Sequence, residues 1–233
     1  HLADNPARND VPSADEVGRI CDALIEAARS NRVDGVIVAS SVYAAPEQGD
    51  EASSYGSVKR AIEQKFLSVT DIPTIILRLP PVYGPGGRGG LTALSKLVRK
   101  GLPLPLGAAI APRFYLSRRN LASLIVTIAN ASDDVWRNAS NGIFEPSDGA
   151  AVSTRELVRM MGDATGRGAR LLPVPLAMLR MAAAVAGKKA LISGAVDPLN
   201  VAPVEELEAA FGWRPVERMP ESLAFLAREF SSA

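Results

Sequence analysis

A short run of small and β-branched apolar residues, Gly35 to Ala39, limits what this chain can fold into. Continuous apolar runs of this length are typical of strands that are buried on both faces of a parallel sheet. Before this run, the capping box Ser13-Ala-Asp-Glu16 and the apolar spacing after it predict a helix from about Ala14 to Ser30. A second helical pattern follows the run, and Thr74 to Arg78 is the next predicted strand. The alternation predicts an α/β fold with a doubly wound parallel sheet.

The pattern becomes less regular after a loop rich in proline and glycine, Pro80 to Gly90. Helical spacing and capping signals predict further helices at Leu91 to Lys100, Asn120 to Asn130, from the capping box Ser153-Thr-Arg-Glu156 onward, Pro175 to Ala186, Val204 to Phe211 and Glu221 to Phe230. Short strands are predicted at Leu102 to Leu106 and Arg113 to Leu116, and Gly142 to Glu145 is expected to return to the sheet. The second half is therefore expected to form a smaller, mostly helical region.

The helix predicted from Pro175 to Ala186 contains most of the most apolar stretch of the chain, Leu171 to Val185, which is broken by Pro173, Pro175 and Arg180. It is shorter than the ~20 apolar residues that a membrane span needs. We interpret it as part of the core or as a hydrophobic wall of the second region, in preference to a surface that faces a membrane or a partner.

Charge and composition exclude several classes of partner. The 26 basic and 25 acidic residues leave a formal net charge of +1, and no long run of one sign occurs, so neither nucleic acid nor a membrane is expected as a partner. The single histidine, His1, disfavours a histidine-based metal site. The single cysteine, Cys21, cannot form an internal disulfide, which favours a cytoplasmic location. The first residues do not have the pattern of a signal peptide, and we interpret them as a truncated start.

Tyr55 and Lys59 are the best candidates for chemistry. They lie four residues apart at the start of a predicted helix, so their side chains share one face. A phenol is a poor base near neutral pH unless a nearby ammonium stabilises the phenolate. Ser41 ends the preceding strand and could hydrogen-bond the same substrate oxygen. Such a pair also occurs by chance, but the carboxyl ends of parallel strands are where ligands bind in these sheets.

Several segments with recognisable patterns follow one another along the chain. They are His1-Leu-Ala, Val38-Ala-Ser-Ser-Val-Tyr43, Tyr55-Gly-Ser-Val-Lys59 with Glu63, Leu77-Arg-Leu-Pro-Pro-Val-Tyr-Gly-Pro-Gly86, Gly101-Leu-Pro-Leu-Pro-Leu-Gly107, Asn120-Leu-Ala and Phe211-Gly-Trp-Arg-Pro215. With these segments in this order, the chain resembles the extended short-chain dehydrogenase/reductases, specifically their NAD-dependent epimerase/dehydratase family. The resemblance implies a Rossmann-like sheet.

The resemblance implies roles for individual residues. Tyr55 would be the catalytic base, Lys59 would bind the nicotinamide ribose and Ser41 would hold the reacting oxygen, so that all three also contact the cofactor. The further cofactor contacts would be Leu2, Ala3 and Pro80, and the cofactor would be NAD, with NADP not excluded. The substrate contacts would be Pro81, Gly90 and Leu91, with Leu104 and Leu106 beside the nucleobase and Arg113 on the diphosphate, whose oxygens suit a planar guanidinium.

The same resemblance implies a division of the chain. Residues 1–84 would be the remainder of a dinucleotide-binding domain, and residues 85–233 the substrate-binding region, with about 117–146 returning to the first domain. The glycine-rich phosphate-binding turn of the family is expected upstream of His1. Gly90 and Asn120 depart from the family pattern, which usually has asparagine and aspartate at these positions.

The implied function is that of an NAD-dependent nucleotide-sugar epimerase, acting on a substrate that is UDP-linked and working as a homodimer. Dehydration is disfavoured because Val42 and Tyr43, and not an Asp-Glu pair, follow Ser41. Two alternatives stay open. One is a nucleotide-sugar 4-ketoreductase that consumes NAD(P)H, and the other is a non-catalytic fragment that binds a nucleotide sugar.

Overall fold

A computed structural model of the chain describes residues 14–46, 54–87, 90–166 and 168–225. Its helices are α1 (Ala14–Ser30), α2 (Ser54–Leu67), α3 (Gly90–Arg99), α4 (Arg118–Ala129), α5 (Asp133–Ala139), α6 (Thr154–Ala164), α7 (Leu176–Val185), α8 (Lys189–Val196), α9 (Val204–Phe211) and α10 (Met219–Leu223). Its strands are β1 (Val36–Ser41), β2 (Thr74–Leu79), β3 (Val82–Tyr83), β4 (Leu116–Ser117) and β5 (Ile143–Phe144). Among these described residues, no helix is both long and apolar enough to span a membrane.

The main sheet is parallel, and its strand order is β1-β2-β5. The predicted α/β fold with a parallel sheet is therefore confirmed, and so is the return of the chain to the sheet after Gly142. The register places Ser40 opposite Arg78 and Ser41 opposite Leu79. The polar residues at the end of β1 thus lie beside the last residues of β2.

The burial of the two long strands differs from the prediction. Residues 74–77 of β2 are buried, whereas Val36, Ile37 and Ala39 of β1 are only half-buried. The reason is their place in the sheet, because β2 lies between β1 and β5, whereas β1 has only β2 as a neighbour among the described strands. Burial on both faces thus holds for β2 and only in part for β1.

The strand predicted at Leu102 to Leu106 is wrong. This segment makes a single bridge, between Leu104 and Leu171, and is otherwise irregular. Pro103 and Pro105 have no backbone N–H to donate, so this segment lacks ladder donors on one side, while Leu104 pairs on the other. In the next predicted strand, Arg113 makes only an isolated bridge to Leu199, and regular pairing begins at Leu116.

The described residues divide into two compact units, which we call unit 1 and unit 2. Unit 1 takes its residues from His1–Pro80, Leu121–Ser147 and Val201–Pro215, and unit 2 from Pro81–Asn120, Asp148–Asn200 and Val216–Ala233. Each unit has its own hydrophobic core. The assignment of 201–215 to unit 1 differs from the division implied by the resemblance. It reflects contacts within unit 1, where the Phe144 and Phe211 rings meet edge to face with centroids 5.0 Å apart.

The N-terminus of α6 confirms the predicted capping box. The Ser153 hydroxyl accepts a hydrogen bond from the Glu156 backbone N–H at 3.2 Å, and a Glu156 carboxylate oxygen accepts one from the Ser153 N–H at 2.8 Å. Ser153 is buried, so water replaces these bonds poorly when they are lost.

We therefore expect Ser153→Ala to lower the free energy of unfolding by about 1 kcal/mol, because an N-terminal N–H of α6 loses its acceptor. Urea denaturation measures this loss. Ser68→Ala is the matched control, since the exposed Ser68 hydroxyl only donates to the Lys65 carbonyl oxygen after α2. An equal loss in both variants would contradict a specific capping effect.

Candidate active site

The end of β1 carries two buried serines. Ser41 is the last residue of the strand, and its Oγ accepts a hydrogen bond from the Tyr43 backbone N–H at 3.3 Å. This bond caps the short 3-10 turn Val42–Ala44 that leads away from the sheet. Ser41 is thus fixed at the carboxyl edge of the sheet, as the sequence predicted.

Helix α2 begins with the predicted pair. Tyr55 is half-buried and Lys59 is buried, and the Lys59 Nζ lies 5.8 Å from the centroid of the Tyr55 ring. This distance is within the range in which an ammonium is attracted to an aromatic face. The helix packs against β1 and against the 3-10 turn that follows Ser41. Unit 1 therefore holds a phenol, an ammonium and a serine hydroxyl on adjoining elements.

A buried polar cluster lies further along α2. The Glu63 carboxylate accepts hydrogen bonds from the Ser40 hydroxyl at 2.5 Å and from two Arg78 guanidinium nitrogens at 2.9 and 2.8 Å. A second carboxylate, that of Glu145, lies 3.8 Å from Arg78 Nη1. Because Ser40 belongs to β1 and Arg78 to β2, the Glu63 side chain ties α2 to both strands.

This cluster was not predicted from the sequence. Glu63 and Arg78 were noted only as parts of two matching segments. The available signal was the four-residue spacing of Tyr55, Lys59 and Glu63, which places all three on one face of α2. That face has the two candidate catalytic residues at its start and, two turns later, the buried carboxylate that bonds to both strands.

The structure describes only some of the predicted cofactor contacts. Pro80 is buried and directly follows β2, at the same sheet edge as Ser41. Leu2 and Ala3 lie outside the described residues. Ser41, Tyr55, Lys59 and Pro80 are thus brought together in unit 1, and their contacts with a cofactor stay a prediction.

The predicted substrate contacts all lie in unit 2. Pro81 and Leu91 are half-buried, and Gly90 is exposed as the first residue of α3. Leu104 and Leu106 are buried in the core of unit 2. Their contact with a nucleobase was implied only by the resemblance and remains a prediction.

Arg113 is a buried cation, with only 2% of its surface exposed. Its Nη1 donates to the Asp197 carbonyl oxygen, and its Nη2 donates to the Gly194 carbonyl oxygen at 2.8 Å. Its Nε has no hydrogen-bond acceptor within the part of the chain that the structure describes. These hydrogen-bond partners are uncharged carbonyls, and the Asp197 carboxylate, whose pKa burial would raise but the charge of Arg113 helps to lower, interacts with the guanidinium without an ion-pair contact. The guanidinium therefore keeps an unused donor.

Asn120, which departs from the family pattern, is fully buried at the centre of a second network. Its amide nitrogen donates to the Asp148 carboxylate at 2.7 Å and to the Glu217 carbonyl at 2.9 Å. Its amide oxygen accepts from the backbone N–H groups of Val216 and Glu217. An aspartate could accept these last two bonds but could not donate the first two, so this site requires an amide.

Burial raises the pKa of Asp148 above its ordinary value of 3.8, against the lowering effect of the bonds from Asn120, Ser117 and Tyr83. Because the pKa of Asp148 is raised in the folded state, this carboxyl stabilises the fold most at pH values below its pKa in the unfolded state. That contribution is lost as the pH rises from 3.8 through the folded-state pKa. A second carboxylate beside Asp148 would raise the pKa of Asp148 further, because like charges disfavour the ionised form.

We therefore expect Asn120→Asp to lower the free energy of unfolding by about 2–4 kcal/mol at neutral pH, because it removes two donors and places two carboxylates side by side. The loss should shrink at acidic pH, where the pair holds a proton. Urea denaturation at pH near 7 and near 5 measures both effects. The control is Asn130→Asp, since the exposed Asn130 amide donates only to the Val126 carbonyl. A loss that does not change with pH would contradict this account.

A metal site is not indicated, because no group of three or more potential histidine, cysteine or carboxylate ligands occurs in the parts of the chain described above.

The family comparison covers more than half of the chain. The model of the NAD dependent epimerase/dehydratase family matches residues 6–138. The UDP-glucose 4-epimerase of Vibrio cholerae is 31% identical over 183 residues, which are 77% of this chain and 54% of that protein. The chain therefore spans about half the length of this curated relative.

Solved structures of epimerases are similar in fold. UDP-glucuronic acid 4-epimerase from Bacillus cereus, in complex with NAD, has a TM-score of 0.74 and 17% identity over 98% of this chain and 73% of that one. UDP-glucose 4-epimerase from Thermotoga maritima, with UDP-glucose, has a TM-score of 0.67 and 17% identity over 94% of this chain and 70% of that one. At these identities the similarity shows a shared fold.

Proposed function

The chain belongs to the NAD-dependent epimerase/dehydratase family, and from this premise we propose that it serves in the epimerisation of a UDP-linked sugar with NAD as its cofactor. The observation that carries the proposal is the arrangement in unit 1, where Tyr55 and the buried Lys59 begin a helix that packs on the strand ending in Ser41. Relatives named as UDP-sugar 4-epimerases, among them one bound to NAD and one to UDP-glucose, support the choice of cofactor and substrate class.

The donors of unit 1 fit a nicotinamide nucleotide. The buried Lys59 ammonium offers up to three N–H donors, which suits the paired hydroxyls of a ribose. Ser41 and the Pro80 carbonyl lie at the carboxyl edge of the sheet, where dinucleotides bind in folds of this type. We therefore assign Lys59 to the ribose and Ser41, Tyr55 and Pro80 to the nicotinamide end, with Leu2 and Ala3 as further proposed contacts.

In the proposed reaction, Tyr55 takes the proton of a sugar hydroxyl while Ser41 holds the same oxygen with a hydrogen bond. Lys59 stabilises the phenolate that accepts this proton. NAD supplies what no side chain can, a reversible acceptor for the hydride on the sugar carbon. Tyr55 would then return the proton to the oxygen of the keto sugar, and reduction of that sugar on its opposite face would invert the configuration.

The residues assigned to the substrate belong to unit 2. We propose that Arg113 binds the diphosphate, because its buried guanidinium has an unused Nε donor and its Nη1 and Nη2 donate to backbone carbonyls of the described residues. Pro81, Gly90 and Leu91 are proposed sugar contacts, and Leu104 and Leu106 proposed neighbours of the nucleobase. Unit 1 would then carry the cofactor and unit 2 the nucleotide sugar.

The test is an assay of the protein, in the full length that its gene encodes, with NAD and a panel of UDP-sugars. We expect the 4-epimer of one of them to form with no net change in NADH absorbance. Stoichiometric oxidation of NADH or NADPH would contradict the epimerase proposal and support a ketoreductase. No turnover of any UDP-sugar, together with tight binding of UDP, would support a non-catalytic binding protein.

We also propose a homodimer that forms through α1 and α2 and a cytoplasmic location. The two helices pack together in unit 1, and Ile20 of α1 remains 44% exposed. Cys21, which is buried on the same helix, is the single thiol and fits a reducing compartment. Light scattering that gives a monomer mass would contradict the dimer, and cell fractionation tests the location.

A further inference from the structure

Helices α7 and α8 pack together as a hairpin, which we call the α7–α8 hairpin (residues 176–196). Along α7, Leu176, Leu179 and Ala183 share one face, and this face packs towards the core of unit 2. Except for Arg180, the other residues of α7 are also apolar. An apolar helix face is normally covered, either by protein or by lipid.

The outer face of α7 is not covered. Met178, Met181 and Val185 follow one another at intervals of three and four residues, and Met181 and Val185 are 69% and 92% exposed. Leu191 of α8 is 58% exposed. Met178, Met181 and Val185 form a stripe of flexible aliphatic side chains on α7, and Leu191 adds an exposed apolar residue on the helix packed against it. Single exposed apolar residues are ordinary on a protein surface, whereas a stripe of them indicates a partner.

The hairpin carries more basic than acidic residues. Residues 170–196 contain Arg170, Arg180, Lys188 and Lys189 and no aspartate or glutamate, and Asp197 follows directly. Arg180 is paired with the Asp197 carboxylate at 2.6 Å, but Lys188 and Lys189 are exposed and have no acidic partner within ion-pair distance in the described part of the chain. The two lysines follow directly on Val185 through the short turn at Gly187.

We propose that the α7–α8 hairpin docks on the surface of an anionic membrane, with Met181, Val185 and Leu191 entering the acyl boundary and Lys188 and Lys189 binding lipid phosphates. Aliphatic side chains next to basic residues are the composition that suits this interface. A second copy fits less well, because a two-fold contact would set the lysines of this face against each other. A protein partner fits less well because residues 176–196 contain no aromatic anchor.

From the sequence, no membrane partner was expected, and this helix was expected in the core or in a wall of the second region. One face of α7 does pack on the core of unit 2, and the exposed residues on its other face are the new observation. The docking proposal is independent of the proposed function, because none of its residues is assigned to the cofactor or the substrate.

The test is co-sedimentation of the 233-residue chain with phosphatidylcholine vesicles and with phosphatidylcholine vesicles that contain about one third phosphatidylglycerol. We expect binding to the anionic vesicles that weakens in about 1 M salt, where charges are screened within about 3 Å. The double variant Met181→Asp and Val185→Asp should lower the partition coefficient at least tenfold. Lys188→Gln and Lys189→Gln should each lower it about fivefold, as expected for one basic residue at an anionic surface.

The control is Val126→Asp on α4, since Val126 is 59% exposed but lies in unit 1, outside the hairpin. It should leave vesicle binding unchanged. Circular dichroism shows whether the double aspartate variant is folded. If it is not, the two lysine variants still test the proposal, because they alter only exposed side chains. Binding that is absent, or equal for both vesicle types, overturns the proposal. A dimer in solution that Val185→Asp converts to monomer also overturns it, in favour of a second copy on this face.

Discussion

Tyr55→Phe is expected to lower the turnover of the proposed epimerisation by about 10²–10⁴-fold, the range that a positioned general base contributes. The variant keeps the ring beside Lys59 but has no hydroxyl to take the substrate proton. The Michaelis constant should change much less than the turnover number, because the loss falls on the transition state. Chromatographic separation of the two UDP-sugar epimers measures the rate.

The matched control for Tyr55→Phe is Tyr115→Phe, which removes the hydroxyl of a buried tyrosine in the core of unit 2. That hydroxyl lies 3.3 Å from the Thr154 hydroxyl. We expect this control to keep its turnover within about twofold and to lose about 1 kcal/mol of stability at most. If Tyr55→Phe retained more than about a tenth of the wild-type turnover, Tyr55 would not be the base.

Arg78→Met is expected to lower the free energy of unfolding by about 3–5 kcal/mol, the usual effect of removing one partner of a buried ion pair. Glu63 is only 2% exposed, and without Arg78 its carboxylate keeps the Ser40 hydroxyl as the remaining donor of this cluster. The double variant Arg78→Met and Glu63→Met should recover much of the loss, because the buried charge is then gone. Urea denaturation of the three proteins measures these effects.

An exposed pair of the same geometry provides the control. Arg29 donates to both carboxylate oxygens of Asp71 at 2.7 and 2.9 Å, but both side chains are about half exposed. Arg29→Met should therefore cost far less stability than Arg78→Met, because water screens and replaces an exposed ion pair. A loss from Arg78→Met as small as that from Arg29→Met would mean that the Glu63 cluster does not hold α2 on the sheet.

Local signals in the sequence were sufficient to predict much of the fold. The spacing of apolar residues predicted α1 and α9 with their observed bounds, and β-branched runs predicted β1 and β2. The capping box at Ser153 predicted the start of α6. Each of these features depends on residues within one or two turns of each other, which is why a single sequence reveals them.

Contacts between distant residues could not be predicted in this way. The Glu63 cluster depends on the register that places Ser40 opposite Arg78, and nothing local in the sequence sets this register. The departure at Asn120 was visible, but its reason lies in Asp148 and Glu217, 28 and 97 residues away. Likewise, the apolar character of α7 predicted a helix but could not reveal that only one of its faces is covered.

The candidate site was also predictable only where it depends on residues close together in the sequence. The spacing of Tyr55 and Lys59 predicted a shared helical face, and the structure places that face on the strand that ends in Ser41. Arg113 was assigned by resemblance alone, because a lone arginine in a sequence does not reveal whether it is buried or has an acidic partner. Its burial with an unused Nε donor became visible only in the three-dimensional structure.

The interleaving of the two units has a consequence for biosynthesis. The last segment of unit 1 ends at Pro215, and the last segment of unit 2 begins at Val216. A ribosome that has passed residue 80 must therefore add residues 81–215 before unit 1 is complete, which takes on the order of 10 s at ordinary rates of elongation. During that time the growing chain exposes parts of two unfinished cores, so we expect both units to fold late and to depend on protection from aggregation until the segments on both sides of residue 215 have been made.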